Sequence, residues 1–285
     1  MRTWGEARAE AVRRLRAGAD PGTAALDSDV LLAFALGITK EQLIAHPETP
    51  LADAIAARLE ALVGRRAAGE PVAYLRGWKE FYSERFRVDP RVLIPRPETE
   101  TLVEEALRII AGRAAVVVDL GTGSGAIACS IALHASRARV IATDLSRDAL
   151  EVATQNAREL GVANRIELRE GDLLAPITER IDLVCANLPY LRDDELAHLT
   201  GVRTSLAYEP RAAVSAGADG LDLIRRAAAD LPRVLAPGGV ALFECDPPQA
   251  SSVTQLLDAA GLRTRVIADL AGSDRVIRGD LESAQ

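Results

Sequence analysis

From Pro97 onward the chain alternates amphipathic helical segments with short apolar runs, and this alternation limits the possible folds more than any other feature. The helical segment PETETLVEEALRIIAG precedes the run AVVVDL, and the runs ARVIATD, RIELRE and IDLVCAN follow along the chain. Strands alternating with helices are typical of a mainly parallel sheet with helices on both faces. We therefore predict an α/β fold that is completed, after a long loop, by helix 219–235, strand GGVALFE, helix 248–260, and strands RTRVIADL and RVIRG.

The chain before Pro97 has a different pattern. Apolar residues recur at helical spacing between residues 3 and 70, whereas residues 71–95 contain five of the ten aromatic side chains among alternating apolar and polar positions. A chain of 285 residues also exceeds the usual size of one domain. We predict an N-terminal helical bundle over 1–70, a β-hairpin linker over 71–95 and an α/β domain over 96–285.

Charge and cysteine content narrow the class of protein. The 34 basic and 41 acidic side chains give a net charge of −7, which argues against tight, sequence-blind binding to nucleic acid. Cys129, Cys185 and Cys245 have no paired spacing, so neither a disulfide framework nor a zinc motif is indicated, and we expect a reducing cytoplasm. No signal-peptide core or membrane-spanning apolar stretch is evident, and the three isolated histidines indicate no metal site.

A glycine-rich turn follows the first strand of the α/β region. In VVVDLGTGSGAIA, Asp119 ends the strand, and Gly121, Gly123 and Gly125 lie before a helix. Glycine permits positive φ and close approach of the backbone to a ligand, although a tight strand-to-helix turn alone would use it too. The spacing G-x-G-x-G differs from the dinucleotide fingerprint G-x-G-x-x-G, which makes a nicotinamide dehydrogenase the least favoured enzyme.

Acidic residues follow the next two strands as well. Asp144 ends VIATD about twenty residues after the glycines, as expected for a group that accepts from ribose hydroxyls. Asp172 lies in EGDLL after the third strand, where it can accept from an amino group. Each aspartate could instead cap a helix. Since parallel strands end at one edge of the sheet, we expect the three carboxyls to converge on one crevice.

This arrangement resembles class I S-adenosylmethionine-dependent methyltransferases, which have a Rossmann-like, mostly parallel seven-stranded sheet. The resemblance implies that S-adenosylmethionine is the cofactor and S-adenosylhomocysteine the product. It also implies that Asp119 helps to hold the methionine end, Asp144 the ribose, and Asp172 with Leu173 the adenine. The implied cofactor-binding residues are Asp119, Gly121, Thr122, Gly123, Ser124, Gly125, Asp144, Leu145, Asp172, Leu173 and Asn187.

The segment ANLPY, residues 186–190, follows the fourth strand. Asn and Pro are common where a strand enters a loop. The segment also resembles the Asn-Pro-Pro-Tyr motif of methyltransferases that act on planar nitrogen. The resemblance implies that the Asn187 side-chain oxygen and the Leu188 carbonyl accept the two N–H groups, that Pro189 stiffens the turn and that Tyr190 packs on the planar group.

Over nearly the whole chain, the sequence resembles the HemK/PrmC family. That family methylates the side-chain amide nitrogen of Gln in the Gly-Gly-Gln loop of peptide chain release factors, so the resemblance implies release factors as partners, recognition by the helical domain and a monomeric enzyme. The blocks that carry it are GEPVAYLRGWKEFYSERFRV (69–88), VLIPRPETETLVEEAL (92–107), DLGTGSGAIA (119–128), DLSRDALEVATQNA (144–157), IDLVCANLPY (181–190), YEPRAAVSAGADGLDLIRR (208–226) and DLAGSDRVIRG (269–279).

The resemblance also assigns a substrate side. In the segment LIPRPETE (93–100) it implies that Leu93, Ile94 and Pro95 wall the glutamine pocket while Arg96 and Glu98 fix the loop. The same segment is a good helix start, with Pro97 in the first turn followed by acidic residues, and both interpretations can hold.

Two departures from the family pattern leave alternatives open. Leu188 replaces the first Pro of the motif, as in ribosomal RNA adenine dimethylases, so an adenine methyltransferase acting on DNA or RNA is the second hypothesis. FECDPPQ (243–249) has Cys245, Asp246 and two prolines where the family has a small residue and Gly, which puts a substrate-side contact in doubt. A non-catalytic binding module is the third hypothesis.

Overall fold

The computed structural model describes residues 2–201 and 205–282, with the backbone alone for 199–201. The chain divides into two compact units. The first comprises Met1–Trp78 with Ala197–Glu209, and the second comprises Lys79–Leu196 with Pro210–Gln285. No helix within the described ranges combines the length and the apolar character needed to cross a bilayer.

The first unit is helical, as predicted. Its helices are α1 (Trp4–Arg16), α2 (Ala24–Leu36), α3 (Lys40–Ala45), α4 (Asp53–Ala67) and α5 (Val72–Arg76). Helix α1 begins where Thr3 and Glu6 bond each other's backbone amides, which satisfies two donors that the helix leaves unpaired. Leucines of α1, α2 and α4 form the core of the unit.

The hairpin is shorter than the predicted 71–95. Its strands are β1 (Trp78–Phe81) and β2 (Glu84–Arg87), and Tyr82 and Ser83 make the turn with φ of 50° and 63°. Residues 72–76 form α5 instead. That helix follows Pro71, whose fixed φ suits a helix start, and it ends at Gly77, which has φ of 76°.

The second unit contains a seven-stranded, mostly parallel sheet with helices on both faces. Its strands are β3 (Ala115–Leu120), β4 (Ala138–Asp144), β5 (Ile166–Glu170), β6 (Ile181–Ala186), β7 (Leu235–Glu244), β8 (Leu262–Ala268) and β9 (Asp274–Leu281). Its helices are α6 (Glu100–Ile110), α7 (Ala126–His134), α8 (Arg147–Glu159), α9 (Asp193–Gly201, which continues into the first unit), α10 (Asp222–Val234) and α11 (Ala250–Ala259). The predicted α/β class is confirmed.

The strand order in the sheet is β5-β4-β3-β6-β7-β9-β8. From β3 the chain adds β4 and β5 on one side, and it then crosses to add β6 and β7 on the other side. Strands β3, β4, β5, β6 and β7 run parallel to one another, and β9 is antiparallel to both β7 and β8. Successive residues of β3 point to opposite faces, so Val117 packs in the layer of α6 and α7 while Val118 packs in the layer of α10 and α11. Ligands of such sheets bind beyond the carboxyl ends of the strands at the point where this order reverses, between β3 and β6.

Candidate active site

A cavity of about 410 Å³ lies at the carboxyl ends of β3, β4 and β6, and the described residues that line it belong to the second unit. Its size is in the range of small-molecule sites. The residues that were predicted from the sequence and that line it are Leu93, Gly121, Gly123, Asp144, Leu145, Asp172, Leu173, Asn187, Leu188 and Pro189. The predicted residues that do not line it are Asp119, Thr122, Ser124, Gly125, Tyr190, Ile94, Pro95, Arg96 and Glu98.

The glycine turn after β3 requires glycine at three positions. Gly121, Gly123 and Gly125 have φ of 70°, 54° and 80°, which other residues rarely adopt. A Cβ at Gly125 would lie 3.1 Å from the Cβ of Ala153, whereas a Cβ at Gly123 would have no protein atom within 4 Å. Because Gly123 lines the cavity, its backbone is open to a ligand there.

Asp119 braces this turn from behind. Its side chain is fully buried, and Oδ2 accepts from Thr122 Oγ1 at 2.6 Å and from the Ala128 amide at 3.0 Å. Oδ1 is buried too and has no hydrogen-bond partner among the described residues. Burial, the main cause, raises the pKa of Asp119 to about 7, although the two hydrogen bonds oppose the shift. Ser124 is also buried behind the turn, where its carbonyl accepts from Asn156 Nδ2 at 2.8 Å.

Asp144 faces the cavity from the end of β4. Its Oδ2 accepts from the Gly123 amide at 2.9 Å and its Oδ1 from the Ser146 amide at 2.8 Å. Burial raises its pKa, while these amides act to lower it. Each carboxylate oxygen has two lone pairs, so both oxygens can still accept from a ligand hydroxyl. Leu145 beside it is 71% exposed, which gives the cavity an apolar rim.

The third predicted acid has a partner that the sequence did not indicate. Asp172 lines the cavity, but its Oδ2 forms an ion pair with Arg226 Nη2. Both side chains are about half exposed, so the pair contributes little to stability. Leu173 has φ of 49°, a left-handed conformation, and its carbonyl accepts from Thr143 Oγ1 at 3.3 Å.

Asn187 follows β6 and lines the cavity with its amide held at one end. Its Nδ2 donates to Thr99 Oγ1 at 2.9 Å. An Asn amide has one donor end and one acceptor end, so Oδ1 is the end left to accept from a ligand. Leu188 is 3% exposed, and its Cδ2 lies 3.1 Å from the position of a Cβ at Gly121. Leu188 therefore packs against the glycine turn.

Tyr190 and the altered turn after β7 meet behind the motif. Burial raises the pKa of Tyr190 to about 12, so its hydroxyl stays protonated at neutral pH. The Tyr190 carbonyl accepts from Gln249 Nε2 at 2.9 Å, and a Cβ at Gly220 would lie 2.3 Å from the same oxygen. Asp246 and Gln249 form a reciprocal cap on the short turn between them. Although the FECDPPQ turn differs from the family pattern, its Gln249 still donates a hydrogen bond to the backbone of the ANLPY motif.

The LIPRPETE segment, residues 93–100, contributes to the site mainly through a residue that was not predicted. Leu93 lines the cavity, whereas Ile94 and Pro95 are buried, Arg96 is partly buried and Glu98 is exposed in a short 3₁₀ turn, Pro97–Thr99, before α6. Thr99, 3% exposed, is the residue that reaches Asn187. Only its place near the helix start was visible in the sequence.

Other residues near the cavity also went unpredicted. Arg91 lines it and is held by Asp89 at 2.8 Å and Glu151 at 3.2 Å. Pro210, Ala212 and Ala213 line it from the segment YEPRAAV, for which the sequence predicted no role in the site. Glu244, at the end of β7, is 1% exposed, and burial raises its pKa to about 7. The sequence signal that could have identified Glu244 is its position as an acidic residue at the end of an apolar strand.

The chain is similar to proteins of one named family over its full length. Residues 6–77 match the PrmC N-terminal domain, and residues 112–256 match a methyltransferase domain. The release factor glutamine methyltransferase of Cereibacter sphaeroides is 45% identical over 286 residues, which cover 100% of both chains. That of Moorella thermoacetica is 43% identical over 274 residues, or 95% of each chain.

The fold is also similar to that of a solved structure. The crystal structure of the hMettl16 catalytic domain aligns with 83% of this chain and 83% of its own, with a TM-score of 0.57 at 13% identity, which shows a shared fold. The two relatives of more than 40% identity show more than the fold, and they confirm the resemblance found in the sequence. The chain therefore belongs to the family of release factor glutamine methyltransferases.

Proposed function

We propose that this protein transfers a methyl group from S-adenosylmethionine to the side-chain amide nitrogen of the Gln in the Gly-Gly-Gln motif of peptide chain release factors. The observation that carries the proposal is the Asn187 amide, held at its nitrogen by Thr99 so that its oxygen is the remaining acceptor at the cavity. The names of the full-length relatives support the release factor as substrate.

The residues of the cavity fit the cofactor. The bare backbone at Gly123 admits a ligand closely, the Asp144 oxygens can accept from ribose hydroxyls, and Leu145 and Leu173 offer apolar surface to a base. We assign the remaining predicted residues of the turn, Thr122, Ser124 and Gly125, to its support. S-adenosylmethionine, when bound, supplies a methyl group on a positively charged sulfur.

The acceptor side must orient a weak nucleophile. The lone pair of an amide nitrogen is delocalised, so a group that holds both N–H bonds can turn the nitrogen toward the methyl group. Asn187 Oδ1 and the Leu188 carbonyl serve as these two acceptors. They also stabilise the positive charge that grows on the nitrogen as the N–C bond forms and the C–S bond breaks. One amide proton then leaves to solvent.

The helical first unit is assigned to release factor recognition. The described residues that line the cavity all belong to the second unit, which leaves the helical unit available for recognition. The bounds 1–70 and 96–285 of the two predicted domains remain predictions, as does the monomeric state. All three cysteines are buried and unpaired, which supports the cytoplasm as the compartment.

The structure weakens the main argument for an adenine methyltransferase. Leu188 was its main support, and the packing of Leu188 on Gly121 accounts for an apolar side chain there without a nucleic-acid substrate. The sequence relatives named above are protein-glutamine enzymes.

The test is transfer of labelled methyl from S-adenosylmethionine to a purified release factor. Its Gly-Gly-Gln to Gly-Gly-Ala variant, unmethylated ribosomal RNA and DNA run in parallel. We expect label on the wild-type factor alone. Label on nucleic acid alone would replace the proposal with the adenine reaction, and cofactor binding without any transfer would favour a non-catalytic role.

A further inference from the structure

Three polar side chains form a row at the cavity: Asn187 lines the cavity, and Thr99 and Glu244 are buried behind it. Thr99 is 3% exposed and Glu244 is 1% exposed. Strands β6 and β7 are parallel neighbours whose last residues in register are Ala186 and Phe243. Asn187 and Glu244 therefore leave adjacent strands side by side, and Thr99 contacts Asn187 from the turn before α6.

The donors and acceptors of this row follow one order, from Asn187 to Thr99 to Glu244. The Asn187 Nδ2 donates to Thr99 Oγ1 at 2.9 Å, so the single hydrogen of the Thr99 hydroxyl is left to donate elsewhere. Both oxygens of Glu244 are buried without a well-formed hydrogen bond to any described residue. The Thr99 hydroxyl is close enough to this carboxyl to favour its ionised form, although the two groups form no hydrogen bond in this structure. An ionised carboxylate can only accept, so it completes the row.

We propose that Glu244 is a positioning residue that takes the Thr99 hydroxyl hydrogen and thereby keeps the Asn187 amide turned with Nδ2 inward and Oδ1 toward the cavity. The inference rests on the proposed function, because Oδ1 is the atom that accepts from the substrate amide. A protonated Glu244 would donate to Thr99 instead. The Thr99 hydrogen would then favour Asn187 Oδ1 as its partner, and the amide would turn its NH₂ group toward the substrate N–H.

Several charged groups face Glu244, and burial outweighs them. Burial raises the pKa of Glu244 to about 7, Arg275 and Arg96 act to lower it, and Glu98 raises it further. The carboxylate is therefore mostly ionised above pH 7 and mostly protonated below it. The groups around it are Arg96, Glu98 and Thr99 before α6, Tyr190 after β6, Cys245 next along the chain and Arg275 of β9.

A double-mutant cycle tests whether Glu244 acts through Thr99. The variants are Thr99→Val, Glu244→Gln and the pair together, assayed with purified release factor and labelled S-adenosylmethionine at pH 8. We expect each single variant to lower kcat about 10- to 100-fold, as loss of a supporting partner commonly does, with KM for S-adenosylmethionine unchanged. The double variant should be no slower than the slower single one, and Thr99→Ser should regain most of the rate lost in Thr99→Val. Losses that multiply, or a change confined to KM, would overturn the proposal.

The pH profile supplies a readout that a merely structural role would not move. In the wild type kcat should fall as the pH is lowered through about 7, and this step should be missing in Glu244→Gln. Glu105→Gln is the matched control, because Glu105 is equally buried but is held by Arg265 and Arg278 at 2.9 Å. It should keep the step. A step that persists in Glu244→Gln would contradict the proposal.

A measurement without turnover separates this inference from the proposed function. The Asn187 side-chain NH₂ signal, identified by its loss in Asn187→Asp, should be protected from hydrogen exchange in the wild type at pH 8. It should lose that protection in Glu244→Gln and in Thr99→Val. Equal protection in wild type and Glu244→Gln would overturn the inference even if the release factor is methylated. Protection that depends on Glu244, without transfer to the release factor, would leave the inference standing and reject the proposed function alone.

Discussion

The carboxyl ends of β3 and β4 and those of β6 and β7 hold their polar groups by different means. At the donor edge, residues 119–125 and 144–146, the carboxylates are held mainly by backbone amides, which belong to the glycine turn, to the start of α7 and to Ser146. At the acceptor edge, formed by 187–190 with Thr99, Glu244 and Gln249, side chains bond to groups far along the chain. Backbone donors cannot be exchanged by mutation, and at the donor edge only the Thr122 hydroxyl, which donates to Asp119, adds a side-chain donor to them. The donor edge therefore depends less on individual side chains than the acceptor edge does.

The largest expected effect tests the acceptor edge at its centre. Asn187→Ala removes the side-chain acceptor while leaving the glycine turn intact, so kcat should fall about 100- to 1,000-fold with little change in cofactor affinity. Rates under saturating cofactor, together with titration of S-adenosylhomocysteine binding, measure the two quantities. A collapse of cofactor affinity at unchanged kcat would mean that Asn187 belongs to the donor edge.

The next prediction concerns the buried acid of the donor edge. The folded-state pKa of Asp119, about 7, lies above the ordinary value of 3.8, so its contribution to stability is complete below about pH 4 and is lost as the pH rises through 7. Asp119→Asn has no such loss. Between pH 4.5 and pH 8, the free energy of unfolding of the variant relative to wild type should therefore rise by about 3 kcal/mol.

Urea denaturation at several pH values measures this difference. Asp230→Asn is a suitable control, since the pKa of Asp230 is lowered by its hydrogen bond to Arg233 and its titration lies at more acidic pH. If the difference in unfolding free energy between Asp119→Asn and wild type did not change across this pH range, burial would not raise the pKa of Asp119 and the prediction would be wrong.

Gly123→Ala tests whether the donor edge is set by backbone conformation. Ala at a φ of 54° is strained by about 1–2 kcal/mol, and its methyl group enters the cavity, so cofactor affinity should fall about 5- to 30-fold. Gly112→Ala is the matched control, because Gly112 has φ of 68°, equally open space around its Cβ position and no place in the cavity. Calorimetric titration would contradict the prediction if both variants lost the same affinity.

The smallest expected effect tests where the two edges meet. Leu188→Pro restores the usual motif and keeps the main-chain carbonyl, so kcat should change less than about threefold, since an acceptor removed outright costs far more. Stability should fall by about 1–2 kcal/mol, because the buried leucine packs on Gly121. Thermal unfolding and initial rates measure both. A large loss of rate with normal stability would assign a direct catalytic role to the leucine side chain.

The same contrast explains what could be predicted from the sequence. Helical and apolar periodicity predicted the helical unit and every strand of the sheet, because both patterns are local. The glycine turn was predictable for the same reason, since positive φ at Gly123 is encoded at that residue. The bounds of the hairpin were not, because Pro71 and Gly77 enclose a short helix that aromatic alternation concealed.

Long-range partners account for what was missed at the site. Thr99 lies 88 residues before Asn187, and Arg226 lies 54 residues after Asp172. Neither pair leaves a spacing signal, because each is brought together by the packing of whole elements. Asp119, for which the resemblance implies a cofactor contact, is fully buried and accepts from Thr122 and Ala128, and only its surroundings in the fold show these partners. The roles assigned to individual residues remain predictions for the experiments above.

The first unit is built from two segments that lie far apart in the chain, and this affects how it can form during synthesis. Arg66, 4% exposed, is held by Asp20 and Asp27 at 2.7 Å and also by the Ser205 hydroxyl at 3.1 Å, and the Tyr208 hydroxyl donates to the Ala68 carbonyl at 3.1 Å. These late partners come from Ala197–Glu209. A ribosome that has made only Met1–Trp78 has therefore not yet supplied all the parts of this unit. The helical unit, although it starts the chain, is completed only after the strands β3 to β6 have been translated.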